Sequence, residues 1–368
     1  MPPLRVRDAI LRSTMGEKNN VFSAVAAPLL QWYDENKRDL PWRRNTDPYR
    51  VWVSEIMLQQ TRVAAVIPYY ERWMCALPDV QTLAAADEAQ LMKLWQGLGY
   101  YSRARNLQKA AKQIVEEYGG QFPDRYEKLL KLPGVGEYTA GAVASIAFSE
   151  KVGAVDGNVL RIAARLGAME TDILDPRMKK MVRGMLDAVI PEDRSGDFNQ
   201  ALMDLGATVC LPGGRPVCEC CPLAGQCEAR RLGRQQELPL RGKKKARRIE
   251  EMTVYLLLRG GEVALRKRSE DGLLAGLWEF PYVSGRLSEA EAVQPLSGWG
   301  VTARDWKKAI PAKHVFTHVE WHMNGYMLDI AGEGAEDFLW VDRNTLETLA
   351  IPTAFKTYYT ECMSALGK

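Results

Sequence analysis

At 368 residues, with 46% hydrophobic and 26% charged content, the chain has the balance of a soluble globular protein long enough for two domains. No apolar run reaches membrane-span length and Met1–Ser23 lacks the apolar centre of a secretory leader, so neither a membrane-spanning helix nor a disulfide framework is expected. The net charge of +3 is too small to argue for nucleic acid except through its local distribution.

Residues 1–20 are polar and mixed in charge and are expected to be a disordered leader. From 21 to 231 the period is helical, with apolar residues three and four apart over Pro48–Gln60, Glu88–Gln96, Ser102–Tyr118, Asn158–Ala168 and Met178–Val189. Between these, Leu132-Pro-Gly-Val-Gly136 predicts a tight glycine hairpin opening a small-residue helix over Glu137–Phe148. Backbone N–H groups of such a hairpin, with the positive end of the helix behind them, suit a phosphate; an ordinary helical corner needs the same glycines.

Five of the 7 cysteines crowd into one short stretch: Cys210, Cys218, Cys220, Cys221 and Cys227. Four thiolates this close suit a structural zinc or an iron–sulfur centre, and the wide gap from Cys221 to Cys227 leans toward iron and sulfur. Residues 232–251, with the basic run Arg241–Arg248, read as a linker whose lysines and arginines can also touch phosphate. From 252 to 368 the period shortens. Met252–Arg259 and Glu262–Arg268 flank a Gly260-Gly261 turn, further strands fall at Trp278–Val283, Trp321–Ile330 and Phe338–Val341, and helices at Arg343–Leu349 and Thr353–Leu366. The expected fold is multidomain: an all-α core over 21–231 including a cysteine loop at 210–227, then an α+β domain over 252–368.

The hairpin, the later Asp156 and the cysteine loop, in that order, resemble the helix-hairpin-helix DNA glycosylases. The loop is similar to the family motif C-x6-C-x2-C-x5-C, with a first gap one residue longer from Leu211 to Val217. By that likeness Cys210, Cys218, Cys221 and Cys227 hold a [4Fe–4S] cluster, and Cys220 does not. Strand-cutting members carry a lysine two residues after the last hairpin glycine, whose amine forms an imine with the sugar. Tyr138 stands there instead, and a phenol forms no imine. Trp52-Val-Ser-Glu-Ile-Met-Leu-Gln-Gln-Thr61 resembles the signature helix of the monofunctional, MutY-type adenine glycosylases.

The resemblance implies an enzyme that hydrolyses the N-glycosidic bond of adenine paired with 8-oxoguanine or guanine, after flipping the base from the duplex. Adenine leaves only when N7 is protonated, and Glu55, among Val51, Val53, Ile56 and Leu58, is placed to keep its proton. Asp156 is implied to stabilise the oxocarbenium sugar, with Tyr138 and Asn158 assisting; an N-cap role for Asp156 or Asn158 is compatible. The hairpin residues Gly134, Val135 and Gly136, together with Gln60, Leu98 and Tyr100, are implied to contact DNA.

Leu273–Pro281 resembles the strand entering a Nudix fold, but Gly285–Val293 carries only Glu289 and Glu291 of the acidic array that a working Nudix hydrolase needs. The second domain therefore reads as a recognition module, with Phe316-Thr317-His318 in place of a Phe-Ser-His loop for 8-oxoguanine. His314, His318 and His322 are spaced four apart without the accompanying acid of a zinc motif. The implied partner is double-stranded DNA holding the 8-oxoguanine:adenine mispair. The chain is expected to act as a monomer, cytoplasmic and nucleoid-associated in a bacterial setting. The rival readings are a lesion-binding protein without catalysis, an endonuclease III-like bifunctional glycosylase, and a nucleotide-pool hydrolase.

Overall fold

The computed structural model describes residues 20–213, 216–242 and 246–367. The expected leader, Asn20 excepted, lies outside them. The helices in chain order are α1 (Ala26–Asn36), α2 (Pro48–Leu58), α3 (Val63–Ala76), α4 (Val80–Ala85), α5 (Glu88–Trp95), α6 (Ser102–Tyr118), α7 (Tyr126–Leu129), α8 (Glu137–Phe148), α9 (Gly157–Leu166), α10 (Pro176–Asp187), α11 (Ser195–Thr208) and α12 (Glu228–Arg231). The described residues fall into two compact units. One holds the chain as far as Ala85 together with the stretch from Arg105 to the basic run; the other holds Ala86–Ala104 and the chain beyond that run.

In the first unit, aspartates start the helices that matter for the site. Asp47 accepts from the Arg50 N–H at 2.9 Å with Pro48 as the first helical residue, and Asp156 accepts from the Val159 N–H at 2.8 Å at the head of α9. The core gathers Phe22, Leu29, Val159, Ile162, Phe198 and Leu202, all fully or almost fully buried. Helix α8 is built from small residues, Ala140 to Ser145, and is buried along that run against α2 and α11. Small side chains let the helix backbones come close. On α11, Gly206 leaves no room for more: a Cβ there would sit 2.5 Å from the Cβ of Asn158.

The second unit is a seven-stranded sheet of β1 (Arg248–Arg259), β2 (Glu262–Lys267), β3 (Trp278–Glu279), β4 (Tyr282–Ser284), β5 (Val301–Val315), β6 (Val319–Gly332) and β7 (Phe338–Val341). The order is β3-β2-β1-β6-β5, with β1 parallel to β6, β4 paired with β1 and β7 with β2. Alternation along β1 splits the core into two layers. Met252, Val254, Leu256 and Leu258 face one cluster, which takes in α15 (Lys356–Leu366) beyond α14 (Arg343–Thr348). Tyr255 and Leu257 face the other, toward α13 (Gln294–Gly298).

Two expectations are revised. The linker is shorter than 232–251: Leu238 is buried, the Arg165 side chain donates to its carbonyl at 3.0 Å, the Ile173 N–H donates to the Leu240 carbonyl at 3.0 Å, and β1 already begins at Arg248. Strand β5 was not expected at all, and it runs as far as Val315. Its polar sequence hides it because it is the sheet's edge, where lysines, Pro311 and two irregularities of register are tolerated.

Candidate active site

A cavity of about 180 Å³ opens in the first unit among α2, α8, α9 and α11. Helix α2 brings Glu55 to it, α8 brings Tyr138, and the N-terminal turn of α9 brings Asp156 and Asn158. Four residues scattered over more than a hundred positions thus share one wall.

Glu55 is 5% exposed, and its Oε2 has no hydrogen-bond partner among the described residues. Burial raises its carboxyl to about 7, against the opposing pull of the Tyr138 hydroxyl and the Arg43 charge; the Asp156 carboxylate pushes the same way as burial. Asp156 is held differently. Burial wins here too and raises its carboxyl above the usual range, against the Val159 N–H at 2.8 Å and the Asn158 Nδ2 at 2.8 Å, which both donate to it, and the positive charge of Arg161. Those donors favour the ionised form. The pair is therefore unequal: a carboxyl with a free oxygen that keeps its proton near neutrality, facing a carboxylate with its donors in place. Tyr138 is half-buried on the same cavity, and loss of water around it together with the two carboxyls lifts its phenol well above its ordinary value, so it stays neutral. Its hydroxyl also lies 3.7 Å from the Met203 Sδ.

The same cavity borders a charged group that the sequence did not reveal. Asp204 is completely buried and accepts from Arg38 at 2.6 and 2.8 Å and from Arg43 at 2.6 and 2.9 Å. Burial alone would raise its carboxyl, but the two guanidinium forks win and hold it below the usual range. Arg38, Arg43, Gln200 and Met203 all line the cavity. The available signal was Asp204 itself, a carboxylate on the apolar side of α11 between Leu202 and Leu205.

The residues expected to meet DNA differ in how far they are presented. Gly134 adopts φ +75°, and a Cβ there would meet the Asn106 side chain at 2.7 Å, so this hairpin position needs glycine. The Val135 side chain is buried and its N–H donates to Leu132 at 3.1 Å, so that N–H is spent inside the hairpin; Gly136 caps α8. Gln60 is exposed with φ 58° at the end of α2. In the second unit, Tyr100 is exposed with φ 49°, whereas Leu98 is buried.

Phe316, Thr317 and His318 form the turn between β5 and β6. Phe316 packs edge-on against Trp321 and His314 at 4.8 and 4.5 Å, leaving Thr317 and His318 exposed at the tip. His322 instead bonds Glu320 at 2.7 Å. Cys210, Cys218, Cys221 and Cys227 are each part-buried around one small apolar-walled pocket, while Cys220 is exposed and outside it. Arg165 reaches the Cys210 sulfur at 3.1 Å. Among the described residues no group of three His, Cys, Asp or Glu side chains is arranged to hold a metal ion.

A protonated acid facing a donor-held carboxylate is the equipment of glycosidic bond cleavage, and on an all-helical unit entered by a glycine hairpin it defines a helix-hairpin-helix base-excision glycosylase. Residues 53–186 match the HhH-GPD superfamily base excision DNA repair proteins, and residues 253–361 match the NUDIX domain. The chain is 37% identical to the human adenine DNA glycosylase over 92% of this chain and 73% of the human protein. It is 33% identical to the adenine DNA glycosylase of Buchnera aphidicola from the host Acyrthosiphon pisum, over 84% of this chain and 86% of the relative. A thermostable thymine-DNA glycosylase of known structure, 28% identical, superposes with a TM-score of 0.53 over 59% of this chain and 100% of its own. The chain belongs to the adenine DNA glycosylases. It is a monofunctional enzyme that releases adenine from DNA, and among the described residues lining the cavity the position two residues after the last hairpin glycine is held by Tyr138.

Proposed function

We propose that the adenine removed is the one paired with 8-oxoguanine, and that Glu55 and Asp156 divide the chemistry. The neutral Glu55 carboxyl donates its proton to adenine N7. The C1′–N9 bond then breaks with its electron pair moving into the ring, and adenine departs neutral. The sugar cation left behind is countered by Asp156, which Asn158 and the Val159 N–H keep ionised and aimed. Water adds at C1′ and gives its proton to a carboxylate, leaving an abasic site. The observation that carries this reading is the unsatisfied Oε2 of Glu55 in the same cavity as the doubly held Asp156. The exposed Thr317 hydroxyl and His318 ring, at the tip of a stiff two-stranded hairpin, suit a donor–acceptor contact with the damaged base.

Cys210, Cys218, Cys221 and Cys227 fit a [4Fe–4S] cluster. Their sulfurs surround one apolar pocket, and Arg161 and Arg165 bring positive charge to Cys210, through its carbonyl and its sulfur, against an anionic centre. Bound there, the cluster would close the 210–227 loop on itself and supply structure, with Arg161 and Arg165 linking that loop to α9. Iron and sulfide analysis is expected to return about four of each per chain; one zinc and no sulfide would replace the cluster with a zinc site.

The test of function is a labelled duplex holding one adenine opposite 8-oxoguanine, incubated with and without hot alkali. Strand breaks that appear only after alkali are expected. Breaks without alkali would mean lyase chemistry, and tight binding with no breaks would mean a lesion binder.

A further inference from the structure

The loop that carries Tyr100 is built in a costly way. Gly97, Gly99 and Tyr100 all adopt left-handed backbone, with φ 108°, 72° and 49°. Glycine does so freely, but a tyrosine there is strained and persists only when its surroundings enforce it. Those surroundings centre on Arg103. Although it is an arginine, it is only 8% exposed. Its Nη2 donates to the Leu98 and Gly99 carbonyls, both at 3.0 Å, and the Gly99 carbonyl also receives the Trp95 indole N–H at 3.0 Å. Its guanidinium carbon lies 5.1 Å from the Trp95 ring centre and 5.6 Å from that of Tyr100. The phenol of Tyr100 is hydrogen-bonded to the Thr317 hydroxyl, while its ring remains 45% exposed. Burial lowers the guanidinium to about 10, so it is still a cation at neutral pH. Neither the acid–base chemistry nor the cysteine pocket uses this residue.

We propose that Arg103 is a positioning residue for recognition of the mispair: by clamping the Leu98 and Gly99 carbonyls and lying against the Tyr100 ring, it holds that ring in its left-handed, presented state before DNA arrives. This rests on reading Tyr100 as a DNA contact. A preset aromatic ring loses little freedom when it stacks on or wedges between bases, so the gain is in affinity for the duplex. Lysine fills the role only in part. One ammonium has donors enough for the two carbonyls that Nη2 holds, but it lacks the planar face that lies against the Trp95 and Tyr100 rings.

The test is a double-mutant cycle between Tyr100→Ala and Arg103→Met, with Arg103→Lys as a second, gentler variant should the methionine fail to fold. Binding is read with a duplex whose target adenosine carries 2′-fluorine to block cleavage, and single-turnover adenine release is read at saturating cleavable duplex. Arg103→Met is expected to weaken binding about tenfold, Arg103→Lys about threefold, and either to change the saturated rate much less. In the Tyr100→Ala background each should add less than twofold, because the ring being positioned is gone. Equal loss in both backgrounds would mean that Arg103 acts on the fold at large and would overturn the proposal while leaving Tyr100 as a contact. Tyr100→Ala that binds as tightly as the parent would overturn the DNA-contact reading and the proposal with it.

Discussion

Glu55 shows how a single carboxyl is shaped by what surrounds it. Its folded-state value of about 7 lies above the ordinary 4.5, so the folded chain keeps a proton that the unfolded chain has already lost. The stabilising share of that proton is fully present below 4.5 and is gone once the pH passes 7, a penalty on the order of 3 kcal/mol at most. Activity that depends on the protonated form should fall over the upper part of the same window, declining as pH rises through 7. Glu55→Gln removes the proton donor while keeping shape. Adenine release should drop about a thousandfold, and at pH 8 the variant should melt at a higher temperature than the parent, since a buried charge has been deleted. A variant that loses activity and also melts lower would indicate that Glu55 is a structural partner rather than an acid. The residue's type and apolar neighbours were legible in the sequence. Its unsatisfied oxygen and the buried Asp204 held by Arg38 and Arg43 at the cavity were not, because these pairings cross more than 160 positions of chain.

At the scale of elements, helix starts and strand alternation were readable because they depend on near neighbours. Asp47-Pro48 and Asp175-Pro176 announce α2 and α10, and the glycine hairpin announces α8. What the elements do to one another was less readable. Helix α11 presses Gly206 against Asn158, and Asn158 in turn donates to Asp156. Gly206→Ala is expected to displace Asn158 and slow single-turnover adenine release at least tenfold with the fold retained. Gly184→Ala on α10, where an added Cβ meets nothing within 4 Å, should leave activity alone and stabilise the helix by about 0.5–1 kcal/mol. Equal activity in the two variants would show that the contact on Asn158 does not matter. The long edge strand β5 went unseen for a similar reason: its polar residues make sense only once β6 lies beside it on one edge and water on the other.

At the scale of the whole molecule, the chain's order and its compact units do not coincide. Ala86–Ala104 sits in sequence among the helices of the first unit yet belongs with the second. There Lys93 donates to the Glu347 carbonyl at 2.5 Å and Gln96 to the Ile351 carbonyl at 2.9 Å. A chain ending after Gly242 keeps every residue of the catalytic cavity, so adenine release from a mispair should persist. Its preference for 8-oxoguanine over guanine should fall about tenfold, and amide exchange over 86–104 should quicken as those acceptors vanish. Unchanged exchange there would mean that the segment is held by something other than the C-terminal residues.

The sequence alone determined the helical and sheet-forming halves, the glycine hairpin, the set of clustered thiols, and the absence of an imine-forming amine at Tyr138. Each of these is a matter of residue type or of short-range spacing, and such signals survive without coordinates. Only the tertiary structure decided which carboxyl keeps its proton, which arginines share a buried carboxylate, how short the linker is, and which residues hold Tyr100. Those outcomes depend on burial and on partners distant in the chain, and no local pattern encodes either.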